Sequence, residues 1–129
     1  MEGDSNHRRK LGKSGEDIAC EFLVRKGHII IERNLRCGHL EIDIISRDAA
    51  GIHFVEVKTR QFGIQAPPQE CVDSGKQRRT AQAAAKYLRS RTGKEFAGLE
   101  CFFDVFAVTV SDNRVITEWF PEAYIPIYK

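Results

Sequence analysis

The chain has 129 residues, 42% hydrophobic and 29% charged, a globular balance that argues against a disordered chain and fits a single domain. No apolar run approaches the roughly 20 residues that span a bilayer, so no membrane partner is expected. Twenty basic against 18 acidic residues leave a formal net charge of +2, so bulk charge does not announce a nucleic-acid binder.

Met1 to Ser14 forms a polar leader with His7, Arg8, Arg9 and Lys10 in a row. It has no apolar stretch, and reads as a flexible basic terminus rather than a secretory signal. The four cysteines, Cys20, Cys37, Cys71 and Cys101, form no CxxC pair. Cys37 and His39 alone fall short of a four-ligand zinc set, so the thiols read as buried or idle in a reducing cytoplasm.

Ser14 with Asp17 offers a loose capping box for a helix from Gly15 to Arg25, which stops at Gly27. Its apolar stripe is Ile18, Ala19, Phe22 and Leu23, with Glu16 at the border of the buried face. Ile29, Ile30 and Ile31, β-branched and followed by a polar stretch, read as a strand. Leu40–Ser46 is a second, with Leu40, Ile42 and Ile44 on one face and Glu41, Asp43 and Ile45 on the other. Ile52–Arg60 is a third, and the short turns predict an antiparallel meander. A Gly/Pro loop at Gln61–Gln69 precedes a helix over Ser74–Arg91 with Ala81, Ala84, Ala85 and Leu88 inward. Cys101–Val110 is a fourth, strongly hydrophobic strand, Arg114–Phe120 a fifth, and the tail from Pro121 reads as irregular. The order α-β-β-β-α-β-β gives an α/β layered fold, a small mixed sheet flanked by helices, with residues 15–129 as one domain.

The residues with chemical potential are Asp43 and the Glu56-Val57-Lys58 triplet. Glu56 and Lys58 share a strand face, roughly 6.5–7 Å apart at Cα. If the strand carrying Asp43 pairs with theirs, two carboxylates and an ammonium meet at one sheet edge. The carboxylates suit Mg²⁺ (or Mn²⁺), and the lysine suits an attacking water or a charged phosphorane. A solvated Glu-x-Lys pair is the alternative. Between Lys76 and Lys94 stand Lys76, Arg78, Arg79, Lys86, Arg89, Arg91 and Lys94 with no acidic residue up to Lys94. This is the footprint of phosphate-backbone contact, extended by Arg60, or else a solvated helix face. Phe102, Phe103 and Phe106 read as core, Phe62 as a loop anchor, and Trp119, Phe120, Tyr124 and Tyr128 as a core cap or dimer patch.

The segments GEDIACEFLVRKG, RNLRCGHLEIDIIS, HFVEVKTR, VDSGKQRR with its Ala-rich helix, and FFDVFAV occur in the order of the YraN family. The chain resembles that family from about Gly15 to Val110. The family is regarded as endonucleases, similar to archaeal Holliday-junction resolvases and to the PD-(D/E)xK nuclease-like group. The resemblance implies a restriction-endonuclease-like mixed sheet. It also implies Asp43 and Glu56 as metal ligands, Lys58 as the ExK lysine, and Glu16 as a further metal-site carboxylate. For Glu16, a plain first-turn glutamate favoured by the helix dipole is the competing reading; Glu41 reads as an outer neighbour of the site or a solvated one. Gln77 matches a polar position facing substrate. A homodimer acting on two-fold DNA is also implied. The chain departs from the family pattern at Leu40, where Gly is usual, and at Phe103, where Arg precedes the Asp. The expectation is a metal-dependent nuclease of structured DNA. The rivals are a non-catalytic DNA-binding protein of the same fold and a structural interaction protein.

Overall fold

The structure, a computed structural model, describes residues 15–61, 74–111 and 114–124. The basic leader, Ser14, Phe62 with its loop, Cys71 and Tyr128 lie outside the described residues. Helix α1 covers 15–25. It leads into β1 (Ile29–Cys37), β2 (Leu40–Arg47) and β3 (Ile52–Gln61). Then follow α2 (Ser74–Arg89), a short 3-10 turn (Lys94–Phe96), β4 (Cys101–Val110) and β5 (Val115–Tyr124).

The strands form one sheet in the order β1-β2-β3-β4-β5. The expected antiparallel meander is present from β1 to β3, and β4 joins β3 in parallel, so the sheet is mixed. A parallel neighbour requires a crossover, and α2 lies within it. β4 is an interior strand buried through its middle, which is why its boundaries are legible as a strongly apolar run.

Each sheet face has its own core. On one, Ala19, Cys20 and Leu23 of α1 pack on Ile44, Val55, Phe106 and Val108, with Phe22 edge-on to Phe106 at 5.2 Å. On the other, Ala83, Ala84 and Tyr87 of α2 cover Ile42, Ile45, Ile52, Phe54 and Phe103. The alanines give α2 a slim buried side. Phe103 and Phe106 are core residues, as expected, while Phe102 is half-buried and stacks on His53. Among the described residues no helix is long and apolar enough to cross a membrane.

Several expectations need correction, among them the extent of β1, which runs on through the polar stretch to Cys37. Ile42 and Ile44 do not share a face: Ile42 packs under α2 with Ile45, and Ile44 under α1. The break in alternation falls at Asp43, where the ladder to β3 has ended and where Asn34 of β1, with φ 52°, stands opposite. The segment from Pro121 is not wholly irregular, since β5 runs on to Tyr124. Proline is tolerated there because β5 is an edge strand. Helix α2 ends at Arg89 rather than Arg91, where Ser90 Oγ takes over hydrogen bonding to the Tyr87 carbonyl.

Candidate functional site

The backbone ladder between β2 and β3 runs only from Ile44–Val55 to Arg47–Ile52. Beyond it the strands part, while β3 stays paired with β4 to its end. The parting deprives the Val57 N–H of a carbonyl partner in β2. Asp43 supplies one: its Oδ2 accepts from the Val57 N–H at 2.8 Å. Asp43 is thereby fixed beside Glu56, as the sequence expectation required. Burial pushes its carboxyl up to about 6, the neighbouring Glu56, Glu16 and Glu41 charges push the same way, and the Val57 N–H opposes them.

Glu56 is 8% exposed and lies on the α2 side of β3. Its Oε1 lies 3.4 Å from Lys58 Nζ and 2.8 Å from Lys76 Nζ. Lys76 stands in the first turn of α2. Its hydrogen bond to Glu56 raises the ammonium's pKa above the usual lysine value. Lys76 therefore belongs to the carboxylate site as well as to the basic helix, a coupling that the sequence reading missed. No local spacing could have shown it, because a long loop separates the two residues.

Glu16 arrives by close packing. A Cβ at buried Gly15 would lie 2.6 Å from Thr59 Oγ1, so only glycine lets the start of α1 approach the end of β3 this closely. Glu16 acts electrostatically on Asp43, but its carboxylate turns to β1. It accepts from Asn34 Nδ2 at 2.8 Å and lies 3.8 Å from Arg33. Thus Asp43, Glu56 and Lys58 come together, and Glu16 borders them with its oxygens engaged elsewhere.

Of the residues expected to touch nucleic acid, Arg78 and Arg79 are exposed on α2. Gln77 is half-buried in the same turn. Arg60 instead donates from Nε to Thr109 Oγ1 at 3.2 Å, which ties it to β4. A cleft of about 240 Å³ opens at Lys76, the partner of Glu56, and is lined by His39, Leu40, Glu41, Lys76, Arg79 and Thr80. Leu40, one departure from the family pattern, forms part of its wall.

The other departure, Phe103, stacks on Phe54 at 5.4 Å within the α2 core. Asp104 points to the opposite face, is 1% exposed, and accepts from His53 Nδ1 at 2.6 Å, Trp119 Nε1 at 3.3 Å and the Glu122 N–H at 2.9 Å. Its charge is therefore answered without an arginine at position 103.

Among the described residues, the one group of His, Cys, Asp and Glu side chains with all ligand atoms within 4.8 Å of one another is His28, Asp48 and His53. The sequence reading missed this group. Its members lie in the turn after α1, the β2–β3 turn and β3, too far apart in the chain to form a motif.

Residues 15–108 match the uncharacterised protein family UPF0102. A UPF0102 protein of Geobacter metallireducens is 41% identical over 120 residues, 93% of this chain and 96% of the relative. One of Anaeromyxobacter dehalogenans is 38% identical over 122 residues, covering 95% and 89%. One of Moorella thermoacetica is 45% identical over 101 residues, covering 78% and 82%. With the family match spanning most of the chain and relatives similar along nearly their whole length, the chain belongs to the YraN-like family UPF0102.

Proposed function

We propose that this protein is a metal-dependent endonuclease that hydrolyses phosphodiester bonds of structured DNA in the cytoplasm. The observation that carries the reading is the Asp43 carboxyl. It is half-buried, fixed by the Val57 N–H and pushed up to about 6 by desolvation in the company of Glu56, Glu16 and Glu41. Carboxylates crowded at such cost call for a cation, and an all-oxygen donor set fits Mg²⁺ or Mn²⁺. When bound, such an ion supplies a Lewis acid for a phosphate oxygen and an acidified water.

Asp43 and Glu56 would hold the ion, with Glu16 adding charge from the start of α1. Lys58, 3.4 Å from Glu56, is placed to orient water or to neutralise charge growing on the phosphate. Lys76 answers Glu56 in the metal-free chain and is placed to turn towards a phosphate in the cleft. Arg78 and Arg79 extend the cationic surface along the DNA backbone, which gives affinity without base specificity. A two-fold junction substrate suits a homodimer, which sedimentation measures.

A second reading is a DNA-binding protein without catalysis. It is favoured by the ion pairs that occupy Glu56 and by the turning of Glu16 towards Asn34. One assay separates the two. Labelled linear, single-stranded, flap and four-way-junction DNA are incubated with the full chain in Mg²⁺, Mn²⁺ or chelator, beside Asp43→Asn and Lys58→Ala. Metal-dependent cutting that falls by about 10²-fold or more in both variants is expected. Binding to every substrate without cutting any would replace the nuclease reading with the second. Neither binding nor cutting would remove both.

A further inference from the structure

We propose a separate Zn²⁺ site on the α1 side of the sheet, with His28, Asp48 and His53 as its protein ligands. His53 and Val55 point to the α1 face of β3, while Glu56 and Lys58 point to the other, so the site is distinct from the carboxylates at Asp43.

The three residues are held by backbone before any metal is considered. His28 follows Gly27 at the end of α1, and its N–H bonds to the Leu23 carbonyl at 2.9 Å. Asp48 opens the β2–β3 turn, and its Oδ1 accepts from the Ala50 and Gly51 N–H groups at 3.0 and 3.2 Å. His53 is the second residue of β3. Both Nε2 atoms then face the Asp48 carboxylate, His28 at 3.4 Å from Oδ2 and His53 at 2.9 Å from Oδ1. Ligands around a tetrahedral zinc with Zn–N near 2.0–2.1 Å lie ~3.3 Å apart, so small movements bring these atoms to an ion.

Each imidazole is also oriented through its other nitrogen. His28 Nδ1 lies 2.9 Å from Ser46 Oγ, and His53 Nδ1 lies 2.6 Å from Asp104 Oδ2. Asp104 is in turn held by Trp119 and the Glu122 N–H. This carboxylate–imidazole–ligand relay is the outer shell that metal-binding histidines use.

An independent observation points to an ion. His28 Nε2 is buried with no hydrogen-bond partner, on a side chain 1% exposed. It faces Asp48 Oδ2 without hydrogen-bond geometry. When Nδ1 donates to Ser46, a lone pair is left aimed at an anion. A divalent ion between the three side chains gives His28 Nε2 a partner and answers the Asp48 carboxylate. Two imidazoles and one carboxylate with an open fourth position are a zinc donor set rather than a magnesium one. Asp48, with 23% of its side chain exposed, gives the ion a way in. Bound there, it clips the end of α1 to β2, β3 and, through Asp104, β4.

The test uses the full chain, stripped with chelator and titrated with Zn²⁺ alone by calorimetry, then with Co²⁺ by visible absorption. Expected are one Zn²⁺ per chain, a raised Tm, and cobalt d–d bands without a thiolate charge-transfer band. Asp48→Asn keeps an acceptor for the turn N–H groups and should weaken zinc binding by more than about 10-fold. His28→Gln should do the same, and Asp43→Asn should leave the affinity unchanged. If His28→Gln fails to fold, Asp48→Asn decides. The proposal is overturned by absence of zinc binding in the wild type, by wild-type affinity in Asp48→Asn, or by a thiolate band, which would assign the metal to cysteine. Loss of zinc in Asp43→Asn would overturn the separateness of the two sites.

Discussion

Asp43→Asn should make the metal-free protein more stable at neutral pH, and the gain should vanish in acid. The carboxyl titrates at about 6 in the folded chain against an ordinary 3.8, first because it is buried and then because Glu56, Glu16 and Glu41 surround it. Between those two values the folded state binds more protons than the unfolded state. The free energy of unfolding therefore falls as pH rises through the window, and the full loss is reached above pH 6. A shift of about two units corresponds to ~3 kcal/mol at most, and partial solvent access brings the expectation to about 1–3 kcal/mol. Asparagine carries no charge at any pH, and its amide oxygen can still accept from the Val57 N–H. Urea denaturation in chelator from pH 4 to pH 8, followed by the fluorescence of Trp119, reads the difference; Trp119 is the sole tryptophan. The wild type should lose stability between pH 4 and pH 6, the variant should lose less, and the curves should separate above pH 6. Added Mg²⁺ should then favour the wild type, because only it gains binding energy. A variant less stable than the wild type at pH 7.5 in chelator would refute the claim that this aspartate is held at a cost.

Lys76→Met should strengthen Mg²⁺ binding by calorimetry, since it removes the ammonium 2.8 Å from Glu56, while weakening DNA binding; a fall in both would mean that Lys76 shapes the site rather than competes for it. Arg78→Glu with Arg79→Glu should reduce the slope of log Kd against log salt by about 2 in filter binding, and an unchanged slope would remove α2 as the contact surface. Gly15→Ala should cost about 1–3 kcal/mol in urea denaturation by forcing α1 away from Thr59. The cost should shrink in a Thr59→Ala background, which takes away the Oγ1 that the new Cβ would meet; equal costs in both backgrounds would place the strain elsewhere.

The fold was legible where burial is one-sided or complete. β4 is strongly apolar apart from Asp104 and Thr109, because it lies between two neighbours and under both helices, and both its ends are legible in the sequence. β1 and β5 are edges, and edges carry charged residues and prolines that read as the end of a strand. The polar run after Ile31 therefore concealed most of β1, and Pro121 concealed the last turn of β5's ladder, where Asp104 accepts the Glu122 N–H. The misplaced faces of Ile42 and Ile44 have a different origin. Alternation holds only while the strand stays paired and extended, and at Asp43 the ladder to β3 has ended.

The two candidate sites differ in the same way. Glu56 and Lys58 are two residues apart on one strand, so the pleat alone sets them side by side, and the pairing of β2 with β3 brings Asp43 next to them, just past the end of the ladder. Lys76 and the His28–Asp48–His53 group depend on contacts between distant elements, which spacing cannot express. β3 connects both sites, because its alternate residues face opposite layers. The side bearing Phe54, Glu56 and Lys58 sets carboxylates and lysines at a parting of strands beside a basic helix. The side bearing His53, Val55 and Val57 sets two buried imidazoles against a turn carboxylate. A substitution on one face should thus leave the chemistry of the other intact, and for that reason Asp43→Asn and Asp48→Asn together can distinguish a metal held by the Asp43 carboxylates from one held by the His28–Asp48–His53 group.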